Sequence, residues 1–345
     1  MFRVASGLRR MVVEHDLAID LGTANTRLYA RGRGVVAEEP SVLVSDLATV
    51  PDAAGAGNAR HGIDGSGGSF VFPIQAGVVV DVHAAGALLR PLVKRARRTG
   101  LARPGALVCT PSDATAGERK ALIEATRLAG AAVIAVVPEP LAAALGAGLN
   151  RGSPYAFMLV DIGSGVTDIA VIRSGQIIAS AAVRTACSDL ERAVAQHLAT
   201  RHGLLLNPGE AARLVTEAGV HLDAGRETLL TAKGTRRHRV EISILVTDRE
   251  IRHAMDPIVK RIVERISGVL RDLPDSVACE VIEDGICLTG GGSYLPGIIE
   301  RIAAGTALDV SQAPDPLHSV IEGAAQMLHT IDRIPGQTGE TWFRQ

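Results

Sequence analysis

One short pattern occurs twice in this chain, and it constrains the fold more than any other feature of the sequence. Residues 17–32 read LAIDLGTANTRLYARG and residues 158–175 read MLVDIGSGVTDIAVIRSG. In both segments an apolar run ends at an aspartate, a glycine and a small hydroxyl residue follow, and a second apolar run begins at a threonine. Two apolar runs joined by a glycine turn predict a β-hairpin. Two hairpins with the same internal spacing predict two similar lobes that face each other.

A third glycine turn follows an apolar run nearer the C-terminal end of the chain. Residues 285–289 predict a buried strand, Gly290, Gly291 and Gly292 predict a turn, and residues 294–302 predict the opening of a helix. Backbone amides at such a turn approach a phosphate or a sugar closely, and the helix N-terminus favours negative charge. Taken alone, the same residues are also typical of an ordinary strand-to-helix connection.

The two repeated aspartates, Asp20 and Asp161, are candidates for a metal site. Each ends a predicted buried strand beside a glycine turn, so facing hairpins bring both carboxylates to one magnesium ion. Residues 22–26 and 163–167 then hold the phosphates of a nucleotide from opposite sides. A single Asp-x-Gly turn is ordinary turn chemistry, whereas the matched pair and the third glycine turn together favour a nucleotide site.

Glu139 is the candidate for placing a water molecule against the terminal phosphate. It lies between Pro138, which fixes its own φ, and Pro140, which suits the first turn of an alanine-rich helix. A carboxylate on such a stiffened loop can polarise water. The alternative is an ordinary acidic residue favoured by the helix dipole, and the sequence leaves both interpretations open.

The composition excludes several classes of function. A formal net charge of -1 and an aromatic content of 3% argue against nucleic-acid binding, which favours basic surfaces and stacking platforms. No apolar run is long enough to span a bilayer and no secretory signal is expected, so a cytoplasmic location is predicted. Four cysteines without a C-x-x-C pair predict buried free thiols in a reducing compartment.

Two segments interrupt the pattern of long strands and helices. Residues 45–69 have many glycines and no periodicity, which predicts a loop or a weakly ordered small insertion. Residues 204–247 mix short helical and strand patterns and predict a small α/β insertion. Capped helix starts are predicted at Thr115 and Thr247, and Pro257 is expected to kink the second of these helices or to mark its true start.

These motifs together resemble the actin/Hsp70/sugar-kinase superfold, and most closely the MreB/Mbl family of bacterial actin homologues. The resemblance extends from about residue 16 to about residue 330, in the family's order and spacing. It implies an α/β, actin-like fold of duplicated, ribonuclease H-like lobes around a central nucleotide cleft, with two small insertions. The segments that carry it are IDLGTANTRLYARGRGVVAEEPSVL, FPIQAGVVVD, TPSDATAGERKALIEATRLAGA, PEPLAAALGAGL, VDIGSGVTDIAVI, GICLTGGGSYLPGI and APDPLHSVIEGAAQML.

The resemblance also implies four subdomains between two terminal segments. The N-terminal segment places Phe2, Leu8 and Val12 along one helical stripe with arginines at its border, which favours contact with an anionic membrane surface. A frayed, disordered start is the alternative. The implied boundaries are residues 1–15 for a membrane-binding segment, 16–44, 70–150 and 314–333 for subdomain IA, 45–69 for subdomain IB, 151–190 and 248–313 for subdomain IIA, 191–247 for subdomain IIB, and 334–345 for a tail.

Positions matched to the family imply a role for each motif. Asp20 and Asp161 serve magnesium, and Glu139 corresponds to the acid that activates water. The cofactors implied are ATP and Mg²⁺. The first phosphate loop comprises Gly22, Thr23, Ala24, Asn25 and Thr26, the second comprises Gly163, Ser164 and Gly165, and the adenosine turn comprises Gly290, Gly291 and Gly292.

One departure from the family pattern lies in the second phosphate loop. The family usually has Asp-x-Gly-Gly-Gly-Thr, where this chain has Ser164 and Val166 in place of the second glycine and the threonine. Valine lacks the hydroxyl that helps to place water or phosphate. Hydrolysis is therefore expected to be slow, and whether the chain is a weak ATPase stays open.

A second departure concerns the nucleoside. The family's Glu-x-x-Lys contact falls at Ala212 and Val215, which carry no charge. Glu210 and Arg213 keep the same spacing two residues earlier, on one helix face, and are expected to substitute. Residues 45–69 also lack the family's pattern, in a subdomain that touches the neighbouring subunit of a filament.

The resemblance implies an ATP-binding, actin-like cytoskeletal protein that forms membrane-associated filaments and organises cell-wall synthesis and cell shape. The partners implied are further copies of the chain, the inner membrane surface, and cell-wall synthesis and morphogenesis proteins, with no nucleic acid. The alternative, suggested by Val166 and by residues 45–69, is a hydrolysis-impaired nucleotide-binding scaffold or an accessory subunit of another actin-like filament. An Hsp70-type chaperone would need a β-rich substrate domain, and the sugar contacts of a sugar kinase are not recognisable.

Overall fold

Apolar stretches that end at glycine turns form the strands of two five-stranded sheets, and amphipathic segments form the helices that cover them. The computed structural model describes residues 15–45, 60–63, 69–97, 103–132, 134–149, 153–222, 225, 227–236 and 240–331. Three predicted features lie wholly or largely outside the described residues. They are residues 1–14 of the membrane-binding segment, residues 46–59 and 64–68 of the glycine-rich insertion, and the tail 334–345.

In the described part of the chain, eight strands precede the first helix, and strands and helices are interspersed after it. The strands are β1 (His15–Leu21), β2 (Asn25–Ala30), β3 (Gly34–Pro40), β4 (Leu43–Ser45), β5 (Arg60–Ile63), β6 (Ser69–Phe72), β7 (Ile74–Gln75), β8 (Val78–Val79), β9 (Gly105–Thr110), β10 (Ile134–Pro138), β11 (Phe157–Ile162), β12 (Thr167–Arg173), β13 (Gln176–Val183), β14 (Leu205–Leu206), β15 (Leu229–Arg236), β16 (Val240–Thr247), β17 (Ile286–Thr289) and β18 (Val310–Gln312). The helices are α1 (Val82–Ala96), α2 (Ala116–Leu128), α3 (Glu139–Gly146), α4 (Cys187–His202), α5 (Glu210–Ala218), α6 (Asp248–Arg271), α7 (Asp275–Asp284), α8 (Ile298–Thr306) and α9 (Ser319–Ile331).

The two five-stranded sheets have the same topology, which confirms the predicted duplication. The strand order is β3-β2-β1-β9-β10 in the first sheet and β13-β12-β11-β17-β18 in the second. In each sheet the first three strands pair antiparallel, and the other two join in parallel. The predicted hairpins are β1–β2, with Asp20 opposite Arg27, and β11–β12, with Asp161 opposite Asp168.

Both predicted insertions contain small sheets. Residues 204–247 form α5 and the three-stranded sheet β14-β15-β16, as their mixed pattern predicts. The prediction of a loop or weakly ordered insertion at residues 45–69 is wrong for residues 60–63 and for the two ends of that segment, because β4, β6 and β5 pair into a three-stranded sheet. Residues that flank the glycines supply this pairing, such as Val44 opposite Phe70.

Each lobe has its own hydrophobic core, and a third cluster joins the lobes. The first core packs the first sheet against α1 and α2, and the second packs the second sheet mainly against α4, α6 and α8. The third packs α3 and α9 against both sheets, through residues such as Leu107, Leu159 and Ile321. Because both faces of the central strands are covered, β9 and β11 are buried along their whole length.

The predicted helix starts are confirmed, and of the two alternatives for Pro257 the structure excludes the one in which it marks the start of α6. Thr115 and Glu118 form the reciprocal capping box of α2. The Thr247 side chain caps α6 by accepting the Glu250 N–H. Pro257 lies inside α6 and does not mark its start, because the cap and the acidic first turn already fix the N-terminus ten residues earlier, at Thr247.

All four cysteines are free, as predicted, but they are not all buried. Cys109 is buried, Cys187 and Cys287 are partly buried, and Cys279 is exposed. Cys279 lies on α7, where Val277 and Val281 form the face that packs on the core, so the cysteine falls on the outer face. Within the described residues, we find no helix with the length and apolar character needed to cross a bilayer.

Candidate functional site

The two hairpins turn in the same way. Gly22 donates its N–H to the Asn25 carbonyl at 3.1 Å, and Gly163 donates its N–H to the Val166 carbonyl at 3.0 Å. In each hairpin an aspartate lies two residues before that glycine, at the end of the incoming strand. The repeated pattern therefore specifies the turn as well as the strands.

The two turns meet across a cleft between the lobes. A Cβ atom added to Gly165 would lie 2.5 Å from Thr23 Oγ1 and 3.0 Å from Ala76 Cα, so the second turn fits against the first lobe only with glycine at this position. Thr23 Oγ1 accepts the Gly77 N–H at 2.9 Å, and Val166 lies against Gly77. The hairpins thus face each other, as the sequence predicts.

Four carboxylates lie near one another beside this cleft, from Asp20, Glu139, Asp161 and Asp168, and all of them except Asp168 line it. Asp20 and Asp161 are each 7% exposed, and Asp168 is 1% exposed. Burial, and then the charges of Asp168 and Asp20, raise the pKa of Asp161 to about 8. Burial also raises the pKa of Asp20, against the opposing effect of Arg27. Such a group of carboxylates favours a bound cation, because a cation relieves their mutual repulsion.

The residues fit a hydrated magnesium ion better than a metal ligated only by protein. Among the described residues, no group of three or more His, Cys, Asp or Glu side chains is arranged to hold a metal ion. Mg²⁺ usually keeps several waters and binds through one or two carboxylates together with the phosphates of its ligand. Asp20 and Asp161 line the same cavity, and they are the residues that could hold such an ion.

Glu139 is the first residue of α3 and lines the cavity. Pro138 is in extended backbone just before the helix and Pro140 lies in its first turn, as the Pro-Glu-Pro sequence predicts. Burial, and then the neighbouring carboxylates with Asp168 foremost, raise the pKa of Glu139 well above its usual value. An ordinary acidic residue at a helix start is solvated, so these surroundings favour the interpretation of Glu139 as a residue of the cleft.

The cleft encloses a cavity of about 360 Å³, which lies in the range of small-molecule sites. Most residues predicted for the nucleotide site line it, and they come from both hairpins, from the start of α3 and from the third glycine turn. These residues are Asp20, Gly22, Thr23, Ala24, Asn25, Glu139, Asp161, Gly163, Ser164, Gly165, Gly290, Gly291 and Gly292.

Thr26, predicted for the first phosphate loop, is not among the residues that line the cavity. Its side chain is buried behind the turn, and its hydroxyl hydrogen-bonds with Ser41 Oγ at 2.8 Å. Ser41 Oγ in turn donates to the Gly22 carbonyl at 2.7 Å. In the second hairpin Thr167 is also buried and donates to the Thr185 carbonyl at 2.9 Å. The repeated threonine therefore braces each loop from behind.

Glu210 and Arg213, predicted as nucleoside contacts, are also not among the residues that line the cavity. The guanidinium of Arg213 donates to Glu210 at 2.6 and 3.1 Å, and to Glu217 at 2.5 Å. Glu210 Oε1 also accepts the Lys233 N–H at 2.8 Å, which ties α5 to β15. The face of α5 that lines the cavity presents instead Ala212, Val215 and Thr216.

The third glycine turn packs directly on the acidic group. Gly290 has φ of +79°, and a Cβ atom at this position would collide with Oδ1 of Asp161. The Gly290 N–H donates to the Pro316 carbonyl at 3.0 Å. The turn leads into a short 3₁₀ helix, and α8 begins at Ile298, later than predicted, because Pro296 keeps the residue before it in extended backbone.

Asp168 is a candidate functional residue that the repeated motif did not identify. It lies opposite Asp161 in the β11–β12 register, so both side chains are on the same face of the sheet. Its Oδ1 accepts the N–H and the hydroxyl of Ser112 at 2.8 and 2.6 Å. Its Oδ2 is buried and has no hydrogen-bond partner among the described residues. An aspartate within the apolar run TDIAVI was the signal that could have identified it.

Arg27 is the second such residue, and it holds the equivalent position in the first hairpin, opposite Asp20. Its Nη1 lies 3.4 Å from Asp20 Oδ2, and its Nε donates to Glu38 Oε1 at 2.9 Å. The side chain is 9% exposed and lines the cavity. An arginine between buried residues of a strand was the corresponding signal in the sequence.

Duplicated lobes of this topology, with paired acidic hairpins at a shared cleft, define an actin-like protein. Among solved structures, the chain is similar to MreB5 of Spiroplasma citri bound to ADP, with a TM-score of 0.81 and 27% identity over 92% of this chain and 97% of that chain. It also matches the MamK double helical filament with a TM-score of 0.70 over 91% of this chain and 98% of that chain, and at 20% identity this likeness concerns the fold alone.

A family model described as MreB/Mbl protein matches residues 14–335, and the chain belongs to the MreB/Mbl family. The cell shape-determining protein Mbl of Bacillus cereus is 32% identical over 326 residues, which cover 93% of this chain and 97% of the relative. The cell shape-determining protein MreB of Escherichia coli is 31% identical over 336 residues, which cover 95% of this chain and 97% of the relative. The family and the fold expected from the sequence are confirmed.

Proposed function

We propose that this chain binds ATP with Mg²⁺ and polymerises into membrane-associated filaments that organise cell-wall synthesis and cell shape. The observation that carries the proposal is the pairing of two acidic hairpins across one cavity, with Asp20 and Asp161 in its lining. The relatives Mbl and MreB are cell shape-determining proteins, which supports the cytoskeletal role. Structures of MreB5 bound to ADP and to AMPPNP support the binding of an adenine nucleotide.

In this proposal the two turns hold the phosphates from opposite sides. Residues 22–25 and 163–165 line the cavity and offer backbone amides together with the hydroxyls of Thr23 and Ser164. Asp20 and Asp161 hold the hydrated ion, which supplies positive charge to the β- and γ-phosphates. The apolar residues of α5 that line the cavity, together with the third glycine turn, contact the nucleoside.

Glu139 orients the attacking water. In the nucleotide-free cleft its raised pKa favours the protonated carboxyl, which is a poor base. A cation held by Asp20 and Asp161 would offset the charges of these two carboxylates, and that would favour the ionised form of Glu139.

Sedimentation tests the filament. We expect the purified chain to pellet with MgATP and to stay largely in the supernatant without nucleotide. Asp161→Asn should abolish pelleting, whereas Asp284→Asn, which changes an exposed aspartate at the end of α7, should not. A native chain that binds MgATP but never pellets would contradict polymerisation, and a chain that binds no adenine nucleotide would contradict the whole proposal.

Vesicle flotation tests the membrane contact, which is proposed from the basic, amphipathic pattern of residues 1–15. The native chain should float with vesicles that contain anionic lipid and not with neutral vesicles. A chain without residues 1–14 keeps every described residue and is the matched control. Equal flotation of both chains would contradict a role for this segment.

Val166 favours a second candidate function, a hydrolysis-impaired nucleotide-binding scaffold or an accessory subunit of another actin-like filament. Its side chain lines the cavity, where it offers no hydrogen-bond donor. This candidate predicts MgATP binding without measurable phosphate release and without pelleting of the chain alone. Pelleting together with phosphate release by the chain alone would contradict it.

A further inference from the structure

The two hairpins match in their turns but differ at one pair of positions. The residue opposite Asp161 is Asp168, so the second hairpin presents two carboxylates on one face. The residue opposite Asp20 is Arg27, so the first hairpin presents one carboxylate and one guanidinium. The two halves of the cleft therefore carry opposite charge at equivalent positions.

Arg27 is held between two acids at the wall of the cavity. Its Nη1 lies 3.4 Å from Asp20 Oδ2, and its Nε lies 2.9 Å from Glu38 Oε1. Glu38 Oε2 lies in turn 3.3 Å from Nε2 of His318, which precedes α9. A buried arginine paired on two sides keeps its position when the cleft is empty.

The lining of the cavity has few cations. Among the described residues that line it, Arg27 is the one with a cationic side chain, whereas Asp20, Glu139, Asp161 and Glu191 are acidic. The phosphates of a nucleotide add further negative charge to this wall. Without a metal ion, Arg27 is the lining residue that offsets the repulsion between Asp20 and phosphate.

We propose that Arg27 acts as a fixed positive charge in the cleft. It pairs with Asp20, which would also hold the metal ion, and it makes the binding of a nucleoside diphosphate partly independent of Mg²⁺. The inference rests on the proposed nucleotide binding and adds a specificity-determining residue to it. Asp161, which has no such arginine opposite, is then the carboxylate on which the ion depends more. A chain with an apolar residue at position 27 would depend on Mg²⁺ far more strongly.

The test is the ratio of the ADP dissociation constants in EDTA and in excess Mg²⁺, measured by calorimetry. For the native chain we expect this ratio to stay below about tenfold. For Arg27→Met it should exceed about a hundredfold, because the phosphates then meet Asp20 without a compensating charge. Arg27→Lys keeps the charge and should restore a ratio close to the native one.

Arg33→Met is the matched control. It removes the same charge from the turn between β2 and β3, but Arg33 is exposed and donates to the Arg95 and Ala96 carbonyls of α1. Its ratio should equal that of the native chain. Equal ratios for the native chain and Arg27→Met would overturn the inference while Mg²⁺-dependent binding, and with it the proposed function, remained intact.

The ratio of dissociation constants measured for the native chain tests the inference even if a variant fails to fold. Circular dichroism and thermal unfolding show whether Arg27→Met is folded before the titration is interpreted. A native ratio of about a hundredfold or more would overturn the inference without any variant. No heat from ADP in either buffer would instead contradict the proposed function itself.

Discussion

At the scale of single residues, Val166 has the clearest consequence for chemistry. It is 7% exposed, lines the cavity and touches Gly77 of the other lobe. Threonine has nearly the same shape as valine and adds one hydroxyl. The position therefore allows a substitution that changes hydrogen bonding with little change in packing.

We expect Val166→Thr to raise the rate of ATP hydrolysis by roughly tenfold or more, because a hydroxyl at this position can place water or the terminal phosphate. Phosphate release at saturating MgATP measures the effect. Val166→Ala alters the shape without adding a donor and should not raise the rate. Equal rates for the native chain and Val166→Thr would show that this position does not control turnover.

Asp161 makes the stability of the empty protein depend on pH. Its pKa is about 8 in the folded chain, against a usual value of 3.8, because of burial and the charges of Asp168 and Asp20. A carboxyl with a raised pKa resists ionisation in the fold. Its contribution to stability is complete below about pH 4 and is lost as the pH rises through about 8.

In EDTA, the free energy of unfolding of the native chain should therefore fall between about pH 5 and about pH 8. Asp161→Asn cannot ionise and should be the more stable chain at about pH 8, where each pKa unit corresponds to about 1.4 kcal/mol. Urea denaturation at several pH values provides the comparison, with Asp284→Asn as an exposed control. Parallel curves for the native chain and Asp161→Asn would contradict the pKa assignment.

The residues of the cleft were predictable where both hairpins repeat them. Asp20, Asp161 and the glycines recur at fixed spacing, and a turn that must approach a phosphate allows few other residues. Arg27 and Asp168 were missed because they lie beyond the repeated motif, and only strand register brings them beside the aspartates. The spacing of the repeated motif does not show which residues of two paired strands lie opposite each other.

At the scale of elements, the contact between α3 and α9 positions Glu139. Gly146 of α3 and Gly323 of α9 lie at the closest approach of the two helices. A Cβ atom at Gly146 would collide with the Ser319 carbonyl, and one at Gly323 would collide with the Ala142 carbonyl. The backbones of the two helices are therefore in direct contact, and α3 begins at Glu139.

Gly323→Ala should lower the free energy of unfolding by about 1–3 kcal/mol, because the added methyl group forces the two helices apart. Chemical denaturation of the nucleotide-free protein measures the loss. Gly268→Ala in α6 is the control, since the nearest atom to a Cβ there is 3.9 Å away, and alanine should stabilise that helix by about 0.5–1 kcal/mol. Equal stability of Gly323→Ala and the native chain would contradict the close packing.

The helices and strands were predictable where the apolar residues of a segment recur with one clear spacing. The hairpins, α2 and α6 have clear apolar periods and capping residues. The strands β5 and β6, within and at the end of residues 45–69, were missed because they are short and separated by a glycine-rich segment. Glu210 and Arg213 share one face of a helix, as the sequence predicts. That face of α5 is turned toward β15, and tertiary contacts, which the sequence pattern does not show, decide the rotation of the helix.

At the scale of the whole molecule, two sets of side-chain contacts tie the lobes together beside the cleft. Arg184 of the second lobe donates to Asp113 Oδ1 at 2.5 Å and to the Ala76 carbonyl at 2.6 Å, both in the first lobe. Asp168 of the second lobe accepts two hydrogen bonds from Ser112 of the first lobe. The duplication of the lobes was predictable from the repeated motif. These contacts were not predictable, because they join residues that are distant in the sequence and belong to no shared motif.

Arg184→Gln should speed the release of a fluorescent ADP by about threefold to tenfold, because it weakens the closure of the lobes over the cleft. Stopped-flow displacement with excess unlabelled ADP measures the rate. Arg192→Gln is the control, since Arg192 pairs with Asp189 within α4. Identical release from the native chain and Arg184→Gln would show that this contact does not govern closure.

The most direct test of the central claim is a calorimetric titration of ADP in excess Mg²⁺ into the native chain and into Asp161→Asn. If the paired hairpins bind a metal–nucleotide together, the native chain takes up one ADP. The variant should bind ADP about threefold to tenfold more weakly, because it lacks one metal-holding carboxylate. Absence of binding heat in the folded native chain, or equal affinity of the two proteins, would contradict the account.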